Sequence, residues 1–180
     1  MLGMNEMILR ESESREVVQY AKSVERAGNY LLSLINNILD ITRIESKKLD
    51  IIEEKFSLRQ LVQEVCLIGA KQAEAKNLEF VVDVEETLPK YLEGDALHIK
   101  QVILNLINNA VKYTKKGKVF LEVCQEEKQI SFSVKDTGIG IKKEDMEALF
   151  DMFMRADIKR HRNIEGSGLG LTIAKELCEQ

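Results

Sequence analysis

The feature that most constrains this chain is a regular apolar stripe near its N-terminus. Eight apolar residues alternate three and four positions apart: Val17, Tyr20, Val24, Ala27, Leu31, Leu34, Ile38 and Ile41. This is the a/d pattern of a heptad repeat, which is typical of coiled coils and helix bundles. The helical segment before it, Leu2 to Arg10, is too short to cover the stripe. We therefore expect a second copy of the chain to pack there, giving a dimeric four-helix bundle through residues 14–45.

The hydrophobic pattern changes near residues 46–52, where short strands and helices begin to alternate. Ser57-Leu58-Arg59-Gln60 has the form of a capping box that opens a helix, and Pro89 marks a loop. The predicted strands are one within 49–56, one at 78–84, and a hairpin at 118–124 and 129–134, before a final helix from about Leu169. The sequence thus predicts an α+β chain. Residues 1–50 form a helical hairpin or bundle segment, and residues 51–180 form an α/β sandwich with helices on one face of a mixed sheet.

Composition excludes several classes of function. The net charge is −4 and the charges are mixed in sign, which argues against a nucleic-acid partner. The sequence contains no long apolar run and does not open with a signal peptide, so we expect no membrane contact. Cys66, Cys124 and Cys178 are odd in number and far apart. They favour packing roles in a reducing compartment, and the expected location is cytoplasmic.

The segment from Gly94 to Thr114 reads as an apolar helix that carries unexpected asparagines. Asp95 is placed to cap its N-terminus. Asn105 and Asn109 are four residues apart and so share a face. An amide oxygen there could bind Mg²⁺, which takes oxygen ligands. An equally favoured interpretation is a buried pair satisfied by the backbone.

Asp136 directly follows the second strand of the predicted hairpin, in the segment Asp136-Thr137-Gly138-Ile139-Gly140. A carboxylate at a strand end is more often a cap or turn residue than a ligand. Glycines at 138 and 140, however, allow the backbone to turn sharply and lie against a flat ligand. A fixed carboxylate accepts from the exocyclic amine of adenine and repels the oxygen of guanine, so it would select adenine.

A second glycine-rich segment, Gly166-Ser167-Gly168-Leu169-Gly170, leads into the last helix. A loop of this kind at a helix N-terminus is typical of phosphate sites, because free N–H groups and the helix dipole converge there. The preceding stretch, residues 155–165, is polar and strongly basic. Its ordinary interpretation is a solvated loop. Its place between two glycine-rich segments also fits a lid in which Arg160 or Arg162 contacts phosphate.

In this order, NLINNAVKYT, DTGIGI, LFDMF and GSGLGL resemble the N box, first glycine box, F box and second glycine box of sensor histidine kinases. The wider class of Bergerat-type ATPases includes gyrase and related chaperones. The resemblance implies that ATP and Mg²⁺ are bound. It makes Asn109 the metal ligand with Asn105 in support, places Lys112 near phosphate and Tyr113 beside the nucleotide, and assigns adenine to Asp136. The other implied ATP-binding residues are Gly138, Gly140, Arg160, Arg162, Gly166, Gly168, Leu169 and Gly170.

The same resemblance implies a two-component kinase that transfers the ATP γ-phosphoryl to a histidine and then to an aspartate on a response-regulator receiver domain. In the family the acceptor histidine lies just upstream of sequence like Leu2-Gly3-Met4-Asn5, so we expect no catalytic residue in this chain. His98 and His161 do not match that position, and His98 is expected to have a surface role. The family also ends with a further hairpin, so the sheet is expected to lack its last two strands.

Two other functions remain open. One is a non-catalytic dimerisation scaffold or ATP sensor. The other is a serine kinase of the anti-sigma type, although the long heptad helix argues against it. Gyrase-type ATPases have a glutamate where this chain has Asn105. Lack of that water-activating base fits transfer to histidine better than ATP hydrolysis.

Overall fold

The structure is a computed structural model that describes residues 2–46, 50–150 and 168–179. The chain divides into two compact units, Met1–Lys48 and Leu49–Gln180, and each is described here by itself. Within the described ranges, no helix combines the length and the apolarity needed to cross a membrane.

The first unit is a helical hairpin, as predicted. Helix α1 (Leu2–Glu11) packs against α2 (Arg15–Glu45), and the buried Asn5 amide donates to the Ala21 carbonyl at 2.8 Å. Helix α1 is about 15 Å long and α2 about 46 Å, from the rise of an α-helix. Much of the apolar stripe on α2 is therefore exposed in the single chain, with Tyr20 at 70%, Leu31 at 57% and Ile38 at 51%.

The second unit contains five strands, three α-helices and two short 3₁₀ turns among its described residues. In chain order they are β1 (Glu54–Ser57), α3 (Leu58–Glu74), β2 (Glu79–Val84), β3 (Tyr91–Gly94), α4 (Ala96–Tyr113), β4 (Lys118–Glu126), β5 (Gln129–Asp136), 3₁₀ turns at Lys143–Asp145 and Glu147–Phe150, and α5 (Gly170–Glu179). Strand β3 is not among the predicted strands, because Pro89 predicts only a loop in this part of the chain.

The strands form two sheets. Strands β1 and β3 make an antiparallel ribbon, with Phe56 opposite Leu92. The larger sheet has the order β2-β4-β5, in which β2 is parallel to β4 and β4 is antiparallel to β5. Residue 121 of β4 pairs with Val82 on one side and Val134 on the other. The mixed sheet expected from the sequence is therefore present.

The core lies between one face of this sheet and the helices α3 and α4. Val119, Leu121 and Val123 alternate along β4 and are 0–1% exposed. They belong to one apolar cluster with Val65 of α3 and Ile107 of α4, both fully buried. Alternation places the polar side chains of β4 on the opposite face, where Lys135 and Glu122 form an ion pair of 2.7 Å. The helices of this cluster therefore cover one face of the sheet, as predicted.

Helix α3 begins as predicted, but only half of the capping box forms. The Ser57 hydroxyl accepts from Gln60 N at 3.3 Å. The Gln60 amide N–H₂ group donates to Glu64, one turn later on the same helix face, at 3.2 Å. The reciprocal bond of a capping box, from Ser57 N to the Gln60 side-chain oxygen, is not formed, so that part of the prediction is wrong.

Candidate functional site

Helix α4 connects all the described parts of the candidate site, and its N-terminus is fixed by Asp95. One Asp95 oxygen accepts from Leu97 N and His98 N at 3.0 and 3.1 Å, which confirms the predicted cap. The other accepts from Ile52 N at 3.1 Å and pairs with His98 Nδ1 at 2.7 Å. The His98 side chain is 20% exposed, so this residue, for which a surface role near the helix entry is expected, is half-buried there. This histidine is held against the Asp95 carboxylate.

The Asp95 carboxylate is 10% exposed, and opposing effects act on its pKa. Burial raises the pKa of Asp95, but hydrogen bonds from the His98 backbone, the His98 side chain and Ile52 N lower it by more. The pKa of Asp95 therefore lies below its ordinary value, and the ionised cap is the favoured form.

Two faces of α4 have opposite character. Ile103, Ile107 and Val111 are 0–5% exposed and face the core. At 100° per residue, Asn105 and Asn109 lie roughly opposite these residues. Lys112 shares their face, and its Nζ lies 4.7 Å from the centroid of the Tyr113 ring. The helix therefore carries two amides and a cation on the face turned away from its apolar packing.

The two asparagines on this face are not equivalent. Asn105 Nδ2 donates to the Gly170 carbonyl at 3.3 Å, which ties α4 to the first residue of α5. The Asn109 amide has no hydrogen-bond partner within the part of the chain that the structure describes. Asn105 therefore fits the interpretation of an asparagine satisfied by the backbone, whereas the Asn109 side-chain oxygen is available to a ligand.

The backbone carbonyls of residues 110–113 lie at the C-terminal end of α4, and each accepts a hydrogen bond. Thr114 N donates to Ala110 O at 3.1 Å. Lys76 Nζ donates to the next two carbonyls, at 2.9 Å to Val111 O and 3.0 Å to Lys112 O. Ile139 N lies 3.4 Å from Tyr113 O, which joins the loop after Asp136 to the end of the helix. The end of α4 is thus fixed from two other parts of the unit.

Asp136, the last residue of β5, uses only one of its two carboxylate oxygens. Asp136 Oδ1 accepts from Gly138 N at 2.8 Å and from the Thr114 hydroxyl at 3.5 Å. Among the described residues nothing donates to Oδ2. Thr114 is 1% exposed, whereas Asp136 is exposed. Asp136 is therefore the turn residue of the ordinary interpretation, and it also presents a second, oriented oxygen.

The loop after Asp136 needs glycine at position 138 because the loop backbone lies very close to the end of α4. A Cβ there would lie 2.6 Å from Tyr113 O, 2.7 Å from Asp136 Oδ1 and 2.9 Å from Thr114 Oγ1. No side chain fits between the loop and the end of α4. Gly140 has φ +67° and open space around it, so its glycine is required by the left-handed backbone.

The phosphate-binding loop expected from the sequence is described only in its last residues. Gly168 has φ +74°, and the Leu169 carbonyl accepts from Ile173 N at 2.9 Å as α5 begins. The Leu169 side chain is fully buried, so it does not face a ligand. Arg160, Arg162 and Gly166, with His161, lie outside the described residues.

Phe150, the last described residue of the LFDMF segment, also contacts α5. The buried Thr172 donates its hydroxyl to the Phe150 carbonyl at 2.9 Å. Lys175 Nζ lies 5.8 Å from the centroid of the Phe150 ring. Residues 168–179 are therefore connected both to the residues just before the basic segment and, through Asn105, to α4.

Two residues of the site are absent from the sequence-based set. Thr114 lies in the quoted motif, and a polar β-branched residue just after a helix is the signal that marks it. Lys76 carries no local signal, because its contacts with Val111 and Lys112 span 35 and 36 positions of the chain.

Comparison with known proteins was made against family models, curated proteins and solved structures. A model described as histidine kinase-, DNA gyrase B- and HSP90-like ATPase matches residues 94–180. The sensory/regulatory protein RpfC of Xanthomonas campestris is 38% identical over 183 residues, which cover 98% of this chain and 25% of RpfC. The sensor histidine kinase GacS of Pseudomonas protegens is 38% identical over 184 residues, which cover 99% of this chain and 20% of GacS.

Among solved structures, full-length ShkA in complex with AMPPNP is similar in fold. It is 28% identical with a TM-score of 0.80, and the match covers 99% of this chain and 37% of that chain. This chain therefore spans a quarter or less of the length of the two curated relatives.

Proposed function

We propose that this chain, which over residues 94–180 matches the histidine kinase-, DNA gyrase B- and HSP90-like ATPase family, is the ATP-binding catalytic part of a two-component sensor histidine kinase. In this proposal the γ-phosphoryl group passes to a histidine and then to an aspartate of a receiver domain. The observation that carries it is the Asp136 carboxylate, with one oxygen bound to Gly138 and the other unengaged among the described residues.

Adenine binds against the Gly138–Gly140 loop in this proposal. Asp136 Oδ2 accepts a hydrogen bond from the exocyclic amine, while Oδ1 stays bound to Gly138 N and Thr114. Tyr113 lies beside the nucleotide at the end of α4. Fixing the acceptor before the ligand arrives lowers the ordering cost of binding.

The triphosphate lies along the polar face of α4 in this proposal. Lys112 contributes positive charge, and the N-terminus of α5, which begins at Gly170 with Gly168 before it, offers backbone N–H groups. Arg160, Arg162 and Gly166 are proposed to complete the phosphate contacts, as the resemblance implies.

Asn109 is the residue that would hold Mg²⁺, and the residues present fit that ion. Its amide is without a partner among the described residues, and Mg²⁺ in such sites takes one or two protein oxygens with phosphates and waters. The described residues contain no cluster of three histidine, cysteine or acidic side chains that would compete for a metal. When bound, Mg²⁺ neutralises charge on the transferring phosphates. Asn105, which is bonded to Gly170, supports the position of α5 beside this site.

The catalytic contribution of these residues is positioning and electrostatics. Asp136 and the glycine loop hold the base, while Lys112 and the α5 N-terminus hold the phosphates in line with an acceptor. Asn105 stands where a water-activating glutamate would be needed for hydrolysis, so transfer is favoured over hydrolysis.

The helical unit is proposed to form a homodimer through residues 14–45. Its support is the exposed stripe on α2, which includes Tyr20, Leu31 and Ile38. Contiguous exposed apolar surface of this kind marks a protein interface. The proposed location of this part of the kinase is the cytoplasm.

Calorimetric titration with a non-hydrolysable ATP analogue, with and without Mg²⁺, tests the proposed function. We expect Mg²⁺-dependent binding that Asn109→Ala weakens at least about tenfold, the loss expected for one good ligand interaction. Asn108→Ala, which removes the exposed neighbouring amide, is the control and should bind normally. Absence of binding in the folded wild-type chain would favour the alternative, a non-catalytic dimerisation scaffold.

A further inference from the structure

Lys76 lies just beyond α3, at a position that the helix end fixes tightly. Asn77, the next residue, has φ +56°, and its N–H donates to Glu74 O at 2.9 Å. Leu78 N donates to Ala73 O at 2.9 Å. These two bonds form a Schellman-type closure, in which asparagine tolerates the left-handed conformation. The backbone of Lys76 is therefore held in one conformation before its side chain makes any contact.

The Lys76 side chain connects this closure to the end of α4. Its ammonium group donates to both Val111 O and Lys112 O, at 2.9 and 3.0 Å. A cation at a helix C-terminus is favourable, because it lies at the negative end of the helix dipole. Burial, and then the charge of Lys112, lower the pKa of Lys76. The ammonium group thus sits where it satisfies two carbonyls although another cation is near.

The next groups along α4 are those that hold the adenine-side loop. Tyr113 O accepts from Ile139 N, and the Thr114 hydroxyl donates to Asp136 Oδ1. Both follow directly on the two carbonyls that Lys76 binds. A loosened last turn of α4 would move Tyr113 O and Thr114 together, and with them the orientation of the Asp136 carboxylate.

We propose that Lys76 is a positioning residue of the nucleotide site: by holding the last turn of α4 it fixes Thr114 and Asp136 in the orientation that selects adenine. The inference rests on the proposed function, since it names a further residue that serves the same site. Lys76 does not contact the nucleotide in this proposal and acts only through α4.

The test compares binding of ATP and of ITP, whose base carries an oxygen where adenine carries its amine. We expect Lys76→Met to weaken ATP binding about tenfold, the equivalent of one lost hydrogen bond, and ITP binding by no more than about twofold. The ATP-to-ITP preference therefore falls at least about fivefold. A merely structural role for Lys76 would lower the melting temperature and leave this ratio unchanged.

Two further variants control the measurement. Lys71→Met removes the same charge from the exposed face of α3, where the side chain makes no hydrogen bond or ion pair with the described residues, and should leave the ratio unchanged. Lys76→Arg keeps a donor that can reach both carbonyls and should restore much of the preference. If Lys76→Met does not fold, Lys76→Gln, which keeps an amide donor without charge, takes its place.

The outcomes separate the two levels of the proposal. ATP binding by wild type with an unchanged ATP-to-ITP ratio in the folded Lys76 variant would overturn the role of Lys76 and leave the proposed function standing. Failure of the wild-type chain to bind ATP would overturn the proposed function and this inference together. An ATP-to-ITP ratio that is lowered in Lys76→Met and unchanged in Lys71→Met supports both the role of Lys76 and the proposed function.

Discussion

Gly138 donates its backbone N–H to Asp136 Oδ1 at 2.8 Å, and this bond determines which carboxylate oxygen is left for a ligand. The same oxygen lies within 3.5 Å of the buried Thr114 hydroxyl. A short turn thus gives the carboxylate one orientation before any nucleotide is bound. The predictions below depend on that arrangement and on the elements that hold it.

Replacing Gly138 should damage both stability and binding. A Cβ at this position would lie 2.6 Å from Tyr113 O, so the loop must move away from α4. We expect Gly138→Ala to destabilise the chain by about 1–3 kcal/mol, as overpacking does, and to abolish ATP binding. Urea unfolding and titration calorimetry measure the two effects.

Gly3→Ala provides the matched control, because, apart from the helix's own backbone and the adjacent residues, no described atom lies within 4 Å of a Cβ at that position in α1. It should stabilise α1 by about 0.5–1 kcal/mol and leave ATP binding unchanged. Equal unfolding free energies in wild type and Gly138→Ala would contradict the close approach of the loop to Tyr113.

The two asparagines of α4 should respond differently to substitution. Asn105→Ala breaks the 3.3 Å bond to Gly170 O, so we expect a loss of about 1 kcal/mol in the free energy of unfolding. Asn109→Ala removes no hydrogen bond among the described residues and should change stability by less than about 0.5 kcal/mol. Chemical denaturation of both variants without nucleotide is the measurement, and equal losses would argue against the separation of their roles.

The Asp95 cap should make stability depend on pH in the acidic range. Because the pKa of Asp95 is lowered in the folded chain, its contribution is fully present above about pH 5 and is lost as the pH falls through the folded pKa. The stability difference between wild type and Asp95→Asn should therefore shrink as the pH falls below about pH 5 and through the lowered pKa of Asp95.

Thermal unfolding over this pH range checks the Asp95 prediction. Asp83→Asn, which changes an exposed aspartate of β2, is the control and should follow the wild-type profile. A constant difference between wild type and Asp95→Asn at every pH would show that the carboxylate is not held in its ionised form by the cap.

The exposed stripe on α2 predicts self-association. Leu31 is 57% exposed within the chain, so a charge there should not disturb the fold, but it would be buried in the proposed dimer. We expect wild type to sediment as a dimer and Leu31→Glu as a monomer. Gln19→Glu, which adds the same charge outside the stripe, should remain dimeric, and a monomeric wild-type chain would contradict the prediction.

Sequence patterns located the elements whose signals are local. The heptad stripe predicts α2, alternation predicts the β4–β5 hairpin, and Asp95 marks the start of α4; all three are present. Each of these signals lies within the element it predicts, so a single sequence is enough to read it.

Features that depend on distant partners were missed. Strand β3 is four residues long and is defined by its pairing with β1, so no periodicity announces it. The Gln60 side chain could have accepted from Ser57 N or donated to Glu64, and only the structure shows that Glu64 is its partner. The contact of Lys76 with the end of α4 likewise joins residues far apart in sequence.

The most direct test of the adenine assignment is the relative affinity for ATP and ITP in wild type and Asp136→Asn. In that variant the amide oxygen should keep the bonds from Gly138 N and Thr114, which leaves the amide N–H₂ group facing the ligand. A donor there suits the oxygen of ITP. We predict that wild type prefers ATP and that Asp136→Asn loses or reverses this preference, whereas Asp83→Asn keeps it. An unchanged preference for ATP in folded Asp136→Asn would contradict the assignment.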